Sequence, residues 1–189
     1  MSSPFVDVVT RVCAELDRQG IRYALTGSVV SSVYGEPFAS QDVDICVNMT
    51  ENQARSLASA LPMDFYRSDV GLVEAVRSRS MSNLVDIRTQ LKLDLSVLAD
   101  DPYFDRVMSR RQGVQLEAGS SKLWAVSPED IVLMKLLWRK ESRSSKQWEN
   151  ALSVMKVQRG KLDYSYMREW SEKLGIQDDL VNLIKESHK

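Results

Sequence analysis

Asp42-Val43-Asp44-Ile45-Cys46-Val47 is the stretch whose reading decides the fold. Side chains alternate between the two faces of an extended strand, so Asp42, Asp44 and Cys46 share one face and Val43, Ile45 and Val47 the other. A second stretch repeats the pattern: in Leu91-Lys92-Leu93-Asp94-Leu95-Ser96-Val97, the residues Lys92, Asp94 and Ser96 share the polar face. Charged residues are unfavourable on strands in the middle of a sheet. Close carboxylates also repel unless a cation lies between them. The plainer alternative is a pair of half-exposed strands whose acids face water.

Upstream lies Leu25-Thr26-Gly27-Ser28, a strand over 21–26 that delivers Gly-Ser to a short helix ending near Tyr34, before Gly35-Glu36-Pro37 breaks it. Glycine lets the backbone approach a ligand, and the amides and dipole of a helix N-terminus favour an anion, most naturally a phosphate. Taken alone, Gly27-Ser28 is also compatible with an ordinary strand-to-helix turn.

Composition narrows the chemistry. The 189 residues, 43% apolar and 27% charged, suit one domain or a domain with a small appendage. Two cysteines, Cys13 and Cys46, are too few for a disulfide scaffold or a thiolate zinc site and read as core hydrophobes. The single histidine, His188, lies near the C-terminus, which argues against a Ser-His-Asp triad, a Cys-His pair or a His-ligated zinc. Carboxylates, lysines, arginines and hydroxyls remain, and carboxylates prefer hard cations such as magnesium. No apolar run approaches the roughly 20 residues of a membrane span, and Met1-Ser2-Ser3-Pro4 does not resemble a secretory leader. The expectation is a cytoplasmic protein.

Around these motifs the spacing predicts α+β structure: a mixed sheet with helices packed on it, then a small C-terminal helical bundle. Ser3-Pro4 opens a helix that Gly20 ends. Thr50 and Gln53 form a capping box for a helix reaching Ala60. A strand over 63–66, a helix over 68–77, strands over 83–88 and 91–98, a helix from Asp101-Pro102, and short strands over 113–117 and 122–126 follow. Ser127-Pro128-Glu129-Asp130 then starts four helices, over 128–140, 144–158, 163–174 and 177–187. The expected division is a domain over 1–126 and a helical region over 127–189.

Together Gly27-Ser28, thirteen intervening residues, Asp42-Val43-Asp44 and the later Asp94 resemble the nucleotidyltransferase superfamily related to DNA polymerase beta. The resemblance is closest to small bacterial AbiEii-type toxin nucleotidyltransferases, through Lys92-Leu93-Asp94, Pro128-Glu129-Asp130 and Lys135-Leu136, and covers roughly residues 21–150. Two departures stand out. Pro37-Phe38-Ala39-Ser40-Gln41 lacks the Arg often found before the acid pair, and Lys146-Gln147 with Asn150 replaces an Arg-Asp and a further Asp.

The resemblance implies catalytic and metal-holding roles for Asp42, Asp44 and Asp94, with two divalent cations, Mg2+ or Mn2+. It implies that Gly27, Ser28, Ser40, Lys92 and Lys135 bind a nucleoside triphosphate, from which a nucleotide passes to a hydroxyl and pyrophosphate leaves. Lys135 lies on an otherwise apolar helix, where a lysine can instead snorkel to water. From Lys135 to Lys161 there are eight Lys or Arg against two Glu, interleaved with Trp138 and Trp148. Such a segment suits an RNA acceptor, or else a solvated surface over core tryptophans. A small hydroxyl compound and a protein hydroxyl are the other acceptor classes, and an antitoxin is an expected partner. The alternative function is a non-catalytic relative that keeps the fold as a nucleotide-binding or regulatory module.

Overall fold

The computed structural model describes residues 3–40 and 42–189. Two sequence expectations therefore touch positions outside the described residues: the leader reading of Met1 and Ser2, and Gln41 in the segment without Arg. In chain order the elements are α1 (Pro4–Arg18), β1 (Arg22–Thr26), α2 (Gly27–Tyr34), β2 (Asp42–Asn48), α3 (Glu51–Ala60), β3 (Phe65–Arg67), α4 (Asp69–Ser78), β4 (Met81–Asp86) and β5 (Lys92–Val97). They continue with α5 (Pro102–Arg110), β6 (Gln112–Val114), β7 (Leu123–Ala125), α6 (Pro128–Ser142), α7 (Ser145–Val157), α8 (Tyr164–Lys173) and α9 (Gln177–Ser187). The expected α+β class is the observed one.

The chain divides into two compact units. The first comprises residues 1–26 and 40–125 and holds a mixed seven-stranded sheet in the order β3-β4-β5-β2-β1-β7-β6. The pairs β2–β5 and β1–β7 are parallel and the others antiparallel. A parallel neighbour requires a long crossover, and the chain makes it through α3, β3, α4 and β4 between β2 and β5. Local signals set the ends of the helices. Ser3 accepts from the Val6 amide at the start of α1, and Thr50 and Gln53 close the capping box of α3. The alternate residues Val43, Ile45, Leu93 and Leu95 are fully buried, as are Val9, Val12 and Leu16 of α1, Leu57 of α3 and Leu72 of α4.

Two strands in this unit sit differently from their sequence ranges. The strand expected over 83–88 is β4, Met81–Asp86. It ends early because Asp86 Oδ2 accepts from the Thr89 amide at 2.8 Å and the Thr89 hydroxyl at 2.7 Å, which folds residues 87–90 into a turn. Gln90 has φ +60° in that turn. The strand expected over 63–66 is β3, Phe65–Arg67, whose Arg67 side chain donates back to the Ala58 and Pro62 carbonyls.

The second unit comprises residues 27–39 and 126–189. It takes in α2 and the following loop together with α6, α7, α8 and α9. Small residues explain the docking. A Cβ on Gly35 would meet Ser153 Oγ of α7 at 2.5 Å, so only glycine lets the chain pass there. The Glu36 amide donates to Ser153 Oγ at 2.6 Å, and Gln158 Nε2 donates to the Tyr34 carbonyl at 2.7 Å. Asp130 ties α6 to α8: it accepts from the Ser127 hydroxyl and the Tyr166 hydroxyl, each at 2.6 Å. Among the described residues no helix is long and apolar enough to cross a membrane.

Candidate active site

In the first unit, register places the acids. Asp44 pairs with Asp94 across β2 and β5, and with Thr26 across β1 and β2, while Asp94 pairs with Asn83 of β4. Directly opposed residues share a face of the sheet. Thr26, Asp44, Asp94 and Asn83 therefore form one transverse row. The next row on the same face is Asp42, Lys92, Val85 and Tyr66, across β2, β5, β4 and β3. Two strands thus bring Asp42, Asp44, Asp94 and Lys92 together.

Their environments differ. Asp94 is 5% exposed, whereas Asp42 and Asp44 are half-buried. The Lys92 ammonium lies 3.0 Å from Asp94 Oδ2 and 3.6 Å from Asp42 Oδ2. The Asp94 hydrogen bond and the charges of both acids hold Lys92 above the ordinary lysine range, against the opposing pull of burial. Ser40, at the entry to β2, donates its hydroxyl to the Asp42 carbonyl at 2.9 Å. That bond anchors the start of the acid strand. Cys46, two residues beyond Asp44 on the same face, is 2% exposed, and burial together with the Asp44 charge pushes its thiol up to about 12. It is an inert part of the core, as is Cys13.

Among the described residues no group of three or more His, Cys, Asp or Glu is gathered closely enough to hold a metal. The Lys92 ammonium lies between Asp42 and Asp94. One observation nevertheless fits a cation. Asp94 Oδ1 is buried without a hydrogen-bond partner among the described residues. Such an atom is costly to leave unpaired. A carboxylate set of this kind suits a hard divalent ion.

In the second unit, Gly27 opens α2 with φ +70°, a conformation side-chain-bearing residues rarely adopt. Ser28 follows it, buried, and its hydroxyl donates to Asn150 Oδ1 of α7 at 3.2 Å. Asn150 is fully buried, and its Nδ2 has no hydrogen-bond partner among the described residues. Sequence reasoning noted Asn150 only as a departure; its place behind Ser28 follows from helix packing that no motif encodes. Asn83 was missed altogether, because it stood as the uncharged first residue of the strand expected over 83–88, with no motif to mark it.

Lys135 of α6 is 3% exposed and lies 5.2 Å from the Trp138 ring centroid, so it does not snorkel to water. Several cations of the basic segment are engaged within the unit. Arg139 pairs with Asp179 at 3.0 Å and covers Trp148 at 4.8 Å, Lys140 reaches the Leu174 carbonyl, and Arg159 donates to the Ser187 carbonyl. Trp148 Nε1 donates to Glu186 at 3.1 Å, which makes this ring a bundle component. Lys140, Arg143, Lys146, Lys156, Arg159 and Lys161 are exposed.

By sequence, neither a family model nor a curated protein matches the chain. By structure it is similar to an antigenic nucleotidyltransferase-like protein from Paracoccidioides brasiliensis, with TM-score 0.58 at 16% identity over 95% of this chain and 91% of that one. It is also similar to ANT(2")-Ia crystallised with adenylyl-2"-tobramycin, with TM-score 0.55 at 10% identity over 91% of this chain and 97% of that one. The solution structure of the antibiotic-resistance factor ANT(2'')-Ia gives TM-score 0.53 at 11% identity, covering 100% and 99% of the two chains. At these identities the likeness is one of fold: the chain has a nucleotidyltransferase fold.

Proposed function

We propose that this protein is a metal-dependent nucleotidyltransferase that moves a nucleoside monophosphate from a triphosphate to a hydroxyl acceptor and releases pyrophosphate. The observation that carries the reading is the register of Asp44 with Asp94, with Asp42 one step along the same face. A sheet that needs acids only for solubility has no reason to bury one of them with an orphaned oxygen.

Each residue then has a role. Asp42, Asp44 and Asp94 are assigned the divalent cation, which when bound would screen phosphate charge and favour in-line displacement. Asp94, the most buried of the three, is assigned the acceptor side, where a carboxylate can take the proton of the attacking hydroxyl. Gly27, Ser28 and Lys135 are assigned to the triphosphate: an open backbone, a hydroxyl and a positive charge are what an outgoing pyrophosphate requires. Ser40 acts at one remove, by fixing the backbone of Asp42. In this scheme the acids, Gly27 and Ser28 belong to 1–126 and Lys135 to 127–189.

For the acceptor, an aminoglycoside-like small molecule, an RNA or a protein hydroxyl fits the chemistry. Of the eight cations in the basic segment Lys135 is buried and Arg139 pairs with Asp179, while the other six are exposed, so an RNA acceptor keeps most of the support that composition gave it. An AbiEii-like toxin with an antitoxin partner is the narrower form of the proposal. Thermal unfolding with a non-hydrolysable triphosphate tests the reading against a non-catalytic module. We expect magnesium and the triphosphate together to raise the midpoint in wild type but not in Asp44→Asn. Stabilisation by nucleotide alone, indifferent to magnesium, would favour the module.

A further inference from the structure

Lys92 is not the neighbour that strand alternation alone would place between two acids. Register sets it directly opposite Asp42 and one step from Asp94, and its ammonium reaches both, at 3.6 and 3.0 Å. Asp94 turns one oxygen to Lys92 while the other, Oδ1, is buried with no hydrogen-bond partner among the described residues. Lys92 itself is about one-third exposed, at 35%, so its four-carbon stem has room to swing. A tethered cation thus occupies the place between two carboxylates that the proposed function assigns to a divalent ion.

We propose that Lys92 is a built-in competitor for the divalent cation: it holds Asp42 and Asp94 together before metal arrives and must leave Asp94 when metal binds. This rests on the metal-dependent reading of the site. The device has two consequences. It relieves carboxylate repulsion in the metal-free protein, and it weakens binding of metal alone. A triphosphate offers the displaced ammonium another anion, so nucleotide and metal assist one another, and the coupling is reciprocal.

The test is Mn2+ binding, followed by electron paramagnetic resonance and calorimetry, to wild type, Lys92→Gln, Lys92→Arg and Asp94→Asn without nucleotide. Lys92→Gln should bind Mn2+ about tenfold more tightly than wild type, the scale on which one adjacent charge shifts a carboxylate's proton equilibrium. Lys92→Arg, which keeps the charge, should bind no more tightly than wild type, and it guards against loss of fold in the glutamine variant. A non-hydrolysable triphosphate should strengthen Mn2+ binding more in wild type than in Lys92→Gln. Equal Mn2+ affinity in wild type and Lys92→Gln, with binding lost in Asp94→Asn, would overturn the competitor role alone. Mn2+ binding indifferent to Asp94→Asn, with or without the triphosphate, would instead overturn the metal site on which it rests.

Discussion

Asp44 of β2 and Asp94 of β5 are direct partners across a parallel strand pair, so two carboxylates face the same side of the sheet one strand apart. Their mutual repulsion leads to the first prediction. Replacing Asp44 by Asn keeps the shape and removes one charge. The metal-free variant should unfold at the same temperature as wild type or higher, because relief of one close like-charge pair contributes about 1 kcal/mol. Transfer activity should fall by orders of magnitude. A sharp loss of metal-free stability would mark Asp44 as structural.

Gly27 leads to the second. Its φ of +70° sits where an L side chain is strained, so Gly27→Ala should cost about 1–3 kcal/mol in stability whatever its effect on nucleotide. Ser28→Ala, by contrast, removes a hydroxyl whose partner is Asn150. Steady-state kinetics should show a raised KM for the triphosphate. Asn150→Asp restores an acid behind Ser28 and should weaken triphosphate binding by placing a negative charge near its phosphates. Normal nucleotide affinity in both Ser28→Ala and Asn150→Asp would remove this helix start from the nucleotide site.

Asp86 gives a pH-dependent prediction. Burial alone would raise its carboxyl, but hydrogen bonds from the Thr89 side chain and amide, with the charges of Arg88 and Arg11, outweigh that and hold it below the usual carboxylate range. A carboxyl depressed in the folded state stabilises above its unfolded value and loses that contribution as pH falls through the folded one. Asp86→Asn should therefore unfold at a lower temperature than wild type at neutral pH, and the gap should narrow below about pH 4. A gap that stays constant into strong acid would contradict the assignment.

The basic segment separates into cations that build the bundle and cations that face water. Arg139→Gln removes the Asp179 pair and the cover over Trp148 and should cost about 1 kcal/mol in stability, with no change in the salt dependence of acceptor binding. Arg143 and Lys146 are exposed, and if RNA is the acceptor, neutralising each should lower the salt slope of binding by about one. An unchanged slope in the Arg143 and Lys146 variants would exclude RNA held by this segment.

Periodicity and capping residues showed where most elements lie. Ser3-Pro4, the Thr50–Gln53 box and Ser127-Pro128 begin helices as local chemistry requires, and alternation around Asp42 and Asp94 marks the two acid strands. Register was harder to read. Nothing in the sequence states that Asp44 opposes Asp94 rather than Lys92, because a parallel neighbour is fixed by packing across a long crossover. The same limit hid Asn83 beside Asp94 and Asn150 behind Ser28. It also hid the docking of residues 27–39 on α7, which depends on the absent side chain of Gly35 meeting Ser153. Lys92 was visible as a charge near Asp94 but not as a bridge to Asp42.

The central claim is nucleotidyl transfer by the Asp42–Asp44–Asp94 site, and one measurement tests it most directly. Each nucleoside triphosphate, labelled on the α-phosphate, is incubated with the protein, magnesium, and separated pools of cellular RNA, protein and small hydroxyl compounds. The account predicts that label enters one pool with release of pyrophosphate, that chelation of magnesium stops it, and that Asp44→Asn and Asp94→Asn abolish it while remaining folded. Label entering no pool with any triphosphate, or transfer undiminished in the folded Asp44→Asn variant, would contradict it.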